Sequence, residues 1–425
     1  MLTIKNSYQE NLSLHSLIDR YLIECSDSIE NKLPYFHHIC DQINSSLSLP
    51  IASIEIIQDR WNTIDRYKNQ LKELLTRPKV QQRSEEWFSL RSNLITASDF
   101  AQALGAGKFG TQKQFYKKKC GYEEESFSHY IPPLKWGCMF EDVATKIYEK
   151  RQNTNIHDFG ILPHPTIPFF GASPDGISEQ GIMLEVKCPF MRKITGEIPE
   201  QYYYQIQGQL EVCDLNECDY LECQFKEYTG DSEFYQDIKY PYEQGIILEY
   251  SLKSEDNSVP HYQYSDILCY DYSVDRVPPK YIHPDNTSAR EKRSRDLKKW
   301  TEDKVSYLES LSDVHNGDII YHYWRLEVYN VVRVYRDKTF TTTKLQDLSH
   351  IWDKIRQYRG DKDRYLTEVC CKKMTKAQQA ANAELFVRKN EKSENDDLMK
   401  AIGKTECEQS TRPKFAFEFL SDMDE

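Results

Sequence analysis

Gly171-Ala172-Ser173-Pro174-Asp175-Gly176, with Leu184-Glu185-Val186-Lys187 just after it, is the most informative segment of the chain. It reads as a β-hairpin. Phe169 to Ala172 enters as one strand and Ile182 to Lys187 leaves as the other. Pro174-Asp175-Gly176 supplies the turn, because proline presets φ and glycine accepts φ above zero. Side chains alternate along a strand, so Glu185 and Lys187 share one face and Leu184 and Val186 the other. The apolar flanks mark an interior strand, where an unpaired charge is costly. An Asp, a Glu and a Lys converging there need a reason. A divalent cation with a water beside it is one, since Mg2+ takes oxygen ligands, usually one or two carboxylates completed by waters and substrate phosphate. Asp175 and Glu185 suit that role. Lys187 suits orienting or deprotonating the attacking water and offsetting transition-state charge. A buried ion-pair cluster is the competing reading, and such clusters stabilise weakly. The spacing Asp-x9-Glu-x-Lys has many chance matches by itself.

Composition narrows the class of protein. With 425 residues the chain has room for two or three domains, or for one large domain with additions. Apolar residues are 39%, and the mean hydropathy is −0.72. No apolar run approaches membrane-spanning length, and the start carries no basic-then-apolar pattern. The expectation is an intracellular protein without membrane association. The 12 Cys agree, being scattered and without a spaced framework. Cys213, Cys218 and Cys223 read as buried free thiols. Net charge is −12, which excludes a chain coated with nucleic acid along its length. It leaves room for a nuclease, whose site needs carboxylates for metal and only a local basic track for phosphate.

Residues 1–78 are helical in flavour, with apolar residues at helical spacing around Leu17 and again from Ile51 to Leu75. They are expected to form an accessory helical region. From 81 to 105, one helix carries Trp87, Leu90 and Arg91, and a second begins near Thr96. Thr96 and Asp99 have capping-box spacing, and Gly105 is a natural stop. Hydroxyls and amides at such a start can hold a phosphate, more strongly with an arginine nearby. Taken alone, an ordinary cap beside a surface arginine is the commoner reading. Lys108, Lys113, Lys117, Lys118 and Lys119 form a basic run, a solvated face or a DNA track. Residues 134–151 form a helix with Trp136, Phe140, Val143 and Ile147 as its stripe and Glu141 beside it.

Residues 199–214 form a further helix whose buried stripe of Tyr203, Ile206, Leu210 and Cys213 includes Gln207. An amide there needs a polar partner, either site groups, a DNA backbone or the protein's own backbone. Gln205 and Gln209 read as surface. A strand at 219–225, an irregular stretch at 226–317 with a basic helix at 290–300, an aromatic strand at 321–336 and a helix at 345–359 complete the globular part. A helix at 372–389 and a charged, partly disordered tail with an acidic tip at 415–425 are expected beyond it.

Five motifs thus follow one order: Trp87 with Arg91 and Ser98; Trp136-Gly137 with Glu141; Ser173-Pro174-Asp175-Gly176; Leu184-Glu185-Val186-Lys187-Cys188-Pro189; and Tyr204-Gln205-Ile206-Gln207. That order resembles the phage lambda exonuclease and YqaJ-type recombinases of the PD-(D/E)xK nuclease superfamily, in the version of large DNA viruses. The resemblance covers roughly residues 80–225 and, more weakly, 321–336. It implies an α/β (α+β) fold, a restriction-endonuclease-like core with a mixed central sheet flanked by helices. On that basis 1–78 is an N-terminal helical region, 79–360 the nuclease domain with an insertion at 226–317, and 361–425 a helix and tail.

The resemblance further implies an exonuclease dependent on Mg2+, with Mn2+ as a substitute, that digests one strand of duplex DNA from a phosphorylated 5′ end. Asp175, Glu185 and Glu141 would be metal ligands and Lys187 the catalytic lysine. Gln207 would help place the scissile strand or the lysine, and Arg91 and Ser98 would hold the 5′ phosphate. Implied partners are double-stranded DNA, a single-strand annealing or single-strand-binding protein, and further copies of the chain. The expected setting is viral recombination, repair or replication in the cytoplasm or nucleus of an infected cell. A structure-selective endonuclease on the same core is the alternative. A catalytically silent module that only binds nucleic acid or a partner is the alternative of another class.

Overall fold

The computed structural model describes residues 3–5, 11–22, 32–46, 52–78, 80, 84–108, 110–122, 131–237, 243–253, 259–268, 287–315 and 318–370. The helix expected at 372–389 and the acidic tip lie outside the described residues. Among the described residues no helix is long and apolar enough to cross a membrane.

The chain opens with β1 (Thr3–Lys5), β2 (Asn11–Ser13), α1 (Leu14–Leu22), α2 (Leu33–Ser46) and α3 (Ile54–Leu75). Helix α3 starts at Ser53, whose hydroxyl accepts from the Ile56 N–H and so satisfies one of the free amides of the first turn. Its buried residues, Ile57, Arg60, Ile64, Tyr67, Leu71 and Leu74, recur at three and four and lie on one face. Ile57 and Ile64 pack with Ile18, Ile39 and Ile43, and Ile182 of the core joins the same cluster. Arg60 stands in that apolar stripe because it is paired. Its Nε donates to Asp19 at 2.6 Å, and its Nη1 to Glu217 at 2.5 Å.

Next come α4 (Glu85–Ser92), β3 (Ile95–Thr96), a 3-10 turn (Ala97–Asp99), α5 (Phe100–Ala103), α6 (Gln112–Lys119), α7 (Pro132–Gln152), β4 (Ile156–His157), β5 (Leu162–Pro163), β6 (Phe170–Ala172), β7 (Gly176–Ser178) and β8 (Met183–Lys187). The chain then runs through α8 (Glu200–Cys213), β9 (Glu217–Glu227), α9 (Asp231–Gln236), β10 (Gln244–Tyr250), β11 (His261–Tyr264), α10 (Thr287–Ser310), β12 (Ile320–Tyr335), α11 (Lys338–Gly360) and α12 (Lys362–Tyr365).

Seven strands form the central sheet in the order β11-β10-β12-β9-β8-β7-β4. The pair β8–β9 is parallel and the other pairs are antiparallel, so the sheet is mixed. A parallel pair needs a long crossover, and α8 supplies it. Helix α7 covers one face, with Phe140, Val143 and Ile147 packed on Leu184, Val186, Leu221 and Phe225. Helix α8 covers the other, with Ile206 and Leu210 clustered with Cys218 and Tyr220. The α/β core expected from the motifs is therefore present. Cys213, Cys218 and Cys223 are buried and free, as expected.

Three expectations need correction. The hairpin is not closed by Pro174-Asp175-Gly176. Strand β6 belongs to a separate three-stranded sheet, β3-β6-β5, and the hairpin is β7–β8. Its turn falls at Gly181, where φ is +73°. Gly176 is required by close approach instead, since a Cβ there would lie 2.1 Å from the Ile156 side chain of β4. The described residues within 226–317 are not irregular, because they supply β10 and β11 of the central sheet and the helices α9 and α10. Pro and Asp punctuation hid strands whose burial comes from both faces of the sheet. Lys119 is not on a solvated basic face. It is 3% exposed, paired with Asp99 at 2.8 Å, and donates to the Leu94 carbonyl at 2.7 Å.

Candidate active site

Strand β8 sets the site. Its alternation sends Leu184 and Val186 into the α7 face and leaves Glu185 and Lys187 facing α8. Glu185 has no solvent exposure. A buried carboxylate needs several donors, and it has them. Lys187 Nζ donates to Oε1, Gln205 Nε2 donates to the same oxygen at 2.7 Å, and Gln209 Nε2 donates to Oε2 at 2.8 Å. Gln205 and Gln209 lie four residues apart and so share one face of α8, straddling the carboxylate.

Asp175 enters from the crossover between the two sheets. Its Oδ2 accepts from the Val186 N–H at 2.8 Å, which ties it to β8. Burial, then the charges of Glu185 and Glu141, push its carboxyl well above the usual range, against the pull of Lys187. Burial pushes the Lys187 ammonium down, but Glu185 and Asp175 outweigh it and hold the group protonated. Lys187 also donates to the Val186 carbonyl at 3.1 Å and lies 5.2 Å from the centre of the Tyr202 ring.

The donors present are hard oxygens, namely two neighbouring carboxylates whose mutual repulsion a cation would relieve. They suit an ion such as Mg2+ that keeps several waters. Among the described residues no three acidic, imidazole or thiolate groups converge as a ready-made metal cage. Glu141, half-buried on α7, acts on Asp175 through its charge.

Gln207 goes elsewhere. Its Nε2 donates to the Tyr335 carbonyl at 2.9 Å, and its Oε1 accepts from the Asp337 N–H at 2.7 Å. It is a buried amide bonded to backbone, and it ties α8 to the end of β12. The glutamines that reach Glu185 are the two read from the sequence as surface. A signal was available: Gln205 and Gln209 share a helix face, so one buried acceptor opposite could use both.

Arg91 and Ser98 are brought together. Arg91 Nη2 donates to Ser98 Oγ at 3.2 Å, and the guanidinium lies 4.9 Å from the centre of the Trp87 ring. The Arg91 Nε is buried without a hydrogen-bond partner. The Thr96–Asp99 capping box is present. Asp99 is held below the usual carboxylate range: burial opposes this, but Lys119 first, then Lys118 and Arg91, prevail. Phe100, next in the chain, meets Tyr204 of α8 edge-on at 5.7 Å. The Arg91–Ser98 turn therefore rests on the helix that carries Gln205.

The site thus sets Glu185 and Lys187 of strand β8 beside Asp175, which precedes β7, under the glutamine-bearing helix α8 of a mixed sheet. Residues 86–216 match the family model of the YqaJ-like viral recombinase domain. The match bears out the resemblance read from the motifs over that part of the chain.

Among curated proteins, one of Acanthamoeba polyphaga mimivirus described as uncharacterized is 26% identical over 350 residues, 74% of this chain and 59% of that protein. A protein of African swine fever virus is 26% identical over 161 residues, 31% of this chain and 46% of its own length. The chain thus spans 59% and 46% of the lengths of these two relatives. Among solved structures, an alkaline exonuclease from Laribacter hongkongensis aligns over 67% of this chain and 100% of its own at 16% identity, with a TM-score of 0.37. A phage-related exonuclease from Haemophilus somnus aligns over 49% of this chain and 96% of its own at 14% identity, with a TM-score of 0.27.

Proposed function

We propose that the protein is a divalent-metal-dependent deoxyribonuclease that degrades one strand of duplex DNA from phosphorylated 5′ ends. One observation carries this reading. The Glu185 carboxylate, without solvent exposure, is gripped on both oxygens by Lys187, Gln205 and Gln209 beside a second carboxylate under like-charge stress. Stability alone gains little from burying that combination, because buried ion clusters add little over apolar packing.

Asp175 and Glu185 would hold the ion, with Glu141 near enough to act through its charge or a water. Mg2+ is the expected ion and Mn2+ its substitute; when bound, it polarises a phosphate oxygen and lowers the pKa of a water. The chain's own residues do the rest. Gln205 and Gln209 fix the Glu185 rotamer. Lys187 would donate to the phosphate and offset charge as it builds, and would orient or deprotonate the attacking water. Arg91 and Ser98 would take the terminal 5′ phosphate, using guanidinium donors still free for it. The products would be a 5′-phosphate and a 3′-hydroxyl. Recombination, repair or replication in a cell infected by a large DNA virus is the setting we infer, with a single-strand annealing or single-strand-binding protein as companion and self-assembly as a further expectation.

The test uses end-labelled linear duplex, with and without 5′ phosphate, and closed circular plasmid, all with Mg2+. Phosphorylated linear duplex should be degraded fastest. Arg91→Ala should erase the preference for phosphate. Glu185→Gln and Lys187→Ala should abolish cleavage in protein that circular dichroism shows to be still folded. Undiminished cleavage in either variant overturns the assignment, and cleavage of closed circles moves it to a structure-selective endonuclease.

A further inference from the structure

Beside Lys187 the sheet carries a second polar cluster that the proposed chemistry does not use. Register places Glu222 of β9 directly opposite Lys187 and Asn330 of β12 directly opposite Glu222. Paired residues point to one face, so Lys187, Glu222 and Asn330 form a polar row across three strands on the α8 side. Glu222 is fully buried and Asn330 is 5% exposed. Glu222 Oε1 accepts from Arg192 Nη2 at 2.5 Å and from the Tyr220 hydroxyl at 2.9 Å. Glu222 Oε2 and Asn330 Nδ2 are buried without hydrogen-bond partners.

Arg192 lies on the loop that follows β8, five residues past Lys187 in the numbering. Its side chain is 31% exposed, while that of Glu222 has no exposure. One end of the guanidinium is therefore anchored on Glu222, while Nη1 makes only a long contact of 3.5 Å to the Lys193 carbonyl and the side chain keeps part of its surface in solvent. Tyr202 joins the two cations: Lys187 Nζ lies 5.2 Å from the centre of its ring, and the ring lies 5.9 Å from that of Tyr220, the other residue on Glu222.

A buried carboxylate with one oxygen unmatched costs stability and is a poor way to build a sheet. As an anchor it makes sense. An anchored arginine loses less side-chain entropy on meeting a ligand, and its planar fork suits phosphate. We propose that Glu222 is a positioning residue that holds Arg192 beside Lys187, so that Arg192 binds a backbone phosphate of the strand being cleaved. The inference rests on the nuclease reading.

The experiment measures duplex DNA binding against salt in EDTA, where cleavage is off, and steady-state cleavage with Mg2+. Releasing one phosphate contact lowers the slope of log K against log salt by about 0.9. Arg192→Ala should lose that amount and raise KM roughly tenfold, as expected for one charge-assisted contact. Arg192→Lys should restore the salt slope but not the full KM, since a lysine cannot use the anchor's geometry. Glu222→Gln should reproduce part of the KM change, and the Arg192→Ala, Glu222→Gln double variant should have a KM no higher than Arg192→Ala alone. A purely structural Glu222 would lower the unfolding temperature and leave KM and the salt slope alone. If Glu222→Gln fails to fold, the Arg192 pair still decides, because an unchanged slope in Arg192→Ala overturns the proposal. If that slope is unchanged while wild-type protein cleaves duplex DNA, only the positioning role falls. If wild-type protein neither binds nor cleaves duplex DNA, the nuclease reading falls and takes this inference with it.

Discussion

Arg60→Ala tests whether the N-terminal helices are part of the core or an attachment. Arg60 is 2% exposed. It holds Asp19 through Nε at 2.6 Å and Nη2 at 2.7 Å, and Glu217 through Nη1 at 2.5 Å and Nη2 at 2.9 Å. Arg333 of β12 also meets Glu217, at 2.5 Å, and Asp19, at 3.1 Å. Asp219 is held by Arg333 at 2.5 Å. Two cations thus face three carboxylates, and removing Arg60 leaves one cation for the same three. Breaking one partner of a buried pair costs about 3–5 kcal/mol.

Glu217 gives an independent scale. Burial raises its pKa, but Arg333 and Arg60 bring it down from 4.5 to about 2, a difference of roughly 3 kcal/mol at neutral pH. Its folded pKa lies below its unfolded one, so this contribution is complete above about pH 4.5 and is lost as pH falls toward about 2. Urea unfolding at pH 7 should therefore show Arg60→Ala destabilised by about 3–5 kcal/mol, with a shallower acid limb than wild type. In the Asp19→Ala, Arg60→Ala double variant the two losses should fall short of additive by at least about 1 kcal/mol. A loss under about 1 kcal/mol in Arg60→Ala, or a stable and active protein lacking residues 1–78, would refute the view that these helices complete the core.

Gln209→Ala should cut cleavage by roughly tenfold to a hundredfold by freeing the Glu185 rotamer, the scale seen when a ligand's outer hydrogen bond is removed. Gln207→Ala should cost stability, about 1–3 kcal/mol for the orphaned Tyr335 and Asp337 backbone groups, with metal affinity intact; equal effects on metal affinity would mean that the three glutamines do not divide as described. Because the Asp175 carboxyl is raised in the metal-free protein, it keeps a proton where a free aspartate is ionised, and metal binding must displace it. Metal affinity should therefore rise with pH, with proton release visible by calorimetry in buffers of different ionisation enthalpy. Asp175→Asn should abolish that release, and a pH-independent affinity in wild type would contradict the shift.

Much of the site was legible because strand and helix periods are local. The alternation in Leu184-Glu185-Val186-Lys187 assigns Glu185 and Lys187 to one face whatever the rest of the chain does. The stripe through Phe140, Val143 and Ile147 commits α7 to a sheet face in the same way. The Thr96–Asp99 capping box depends on three-residue spacing alone, and it forms as read. The glutamines show the limit. Residues two apart on a helix point about 200° apart, so Gln207 and the Gln205–Gln209 pair must face opposite ways. Period alone does not say which side meets β8.

The sequence by itself determined which side chains travel together: the Glu185–Lys187 face, the amphipathic stripes, the acid and amide types suited to a metal and a phosphate. Tertiary structure decided what each group meets. Gly176 is a glycine because Ile156 passes 2.1 Å from where its Cβ would be. Lys119 is buried because Asp99 waits for it. Arg60 can stand in an apolar stripe because Glu217, 157 residues away, arrives on the other side. Local propensity acts over a few residues, whereas burial and charge pairing depend on which distant surfaces come into contact.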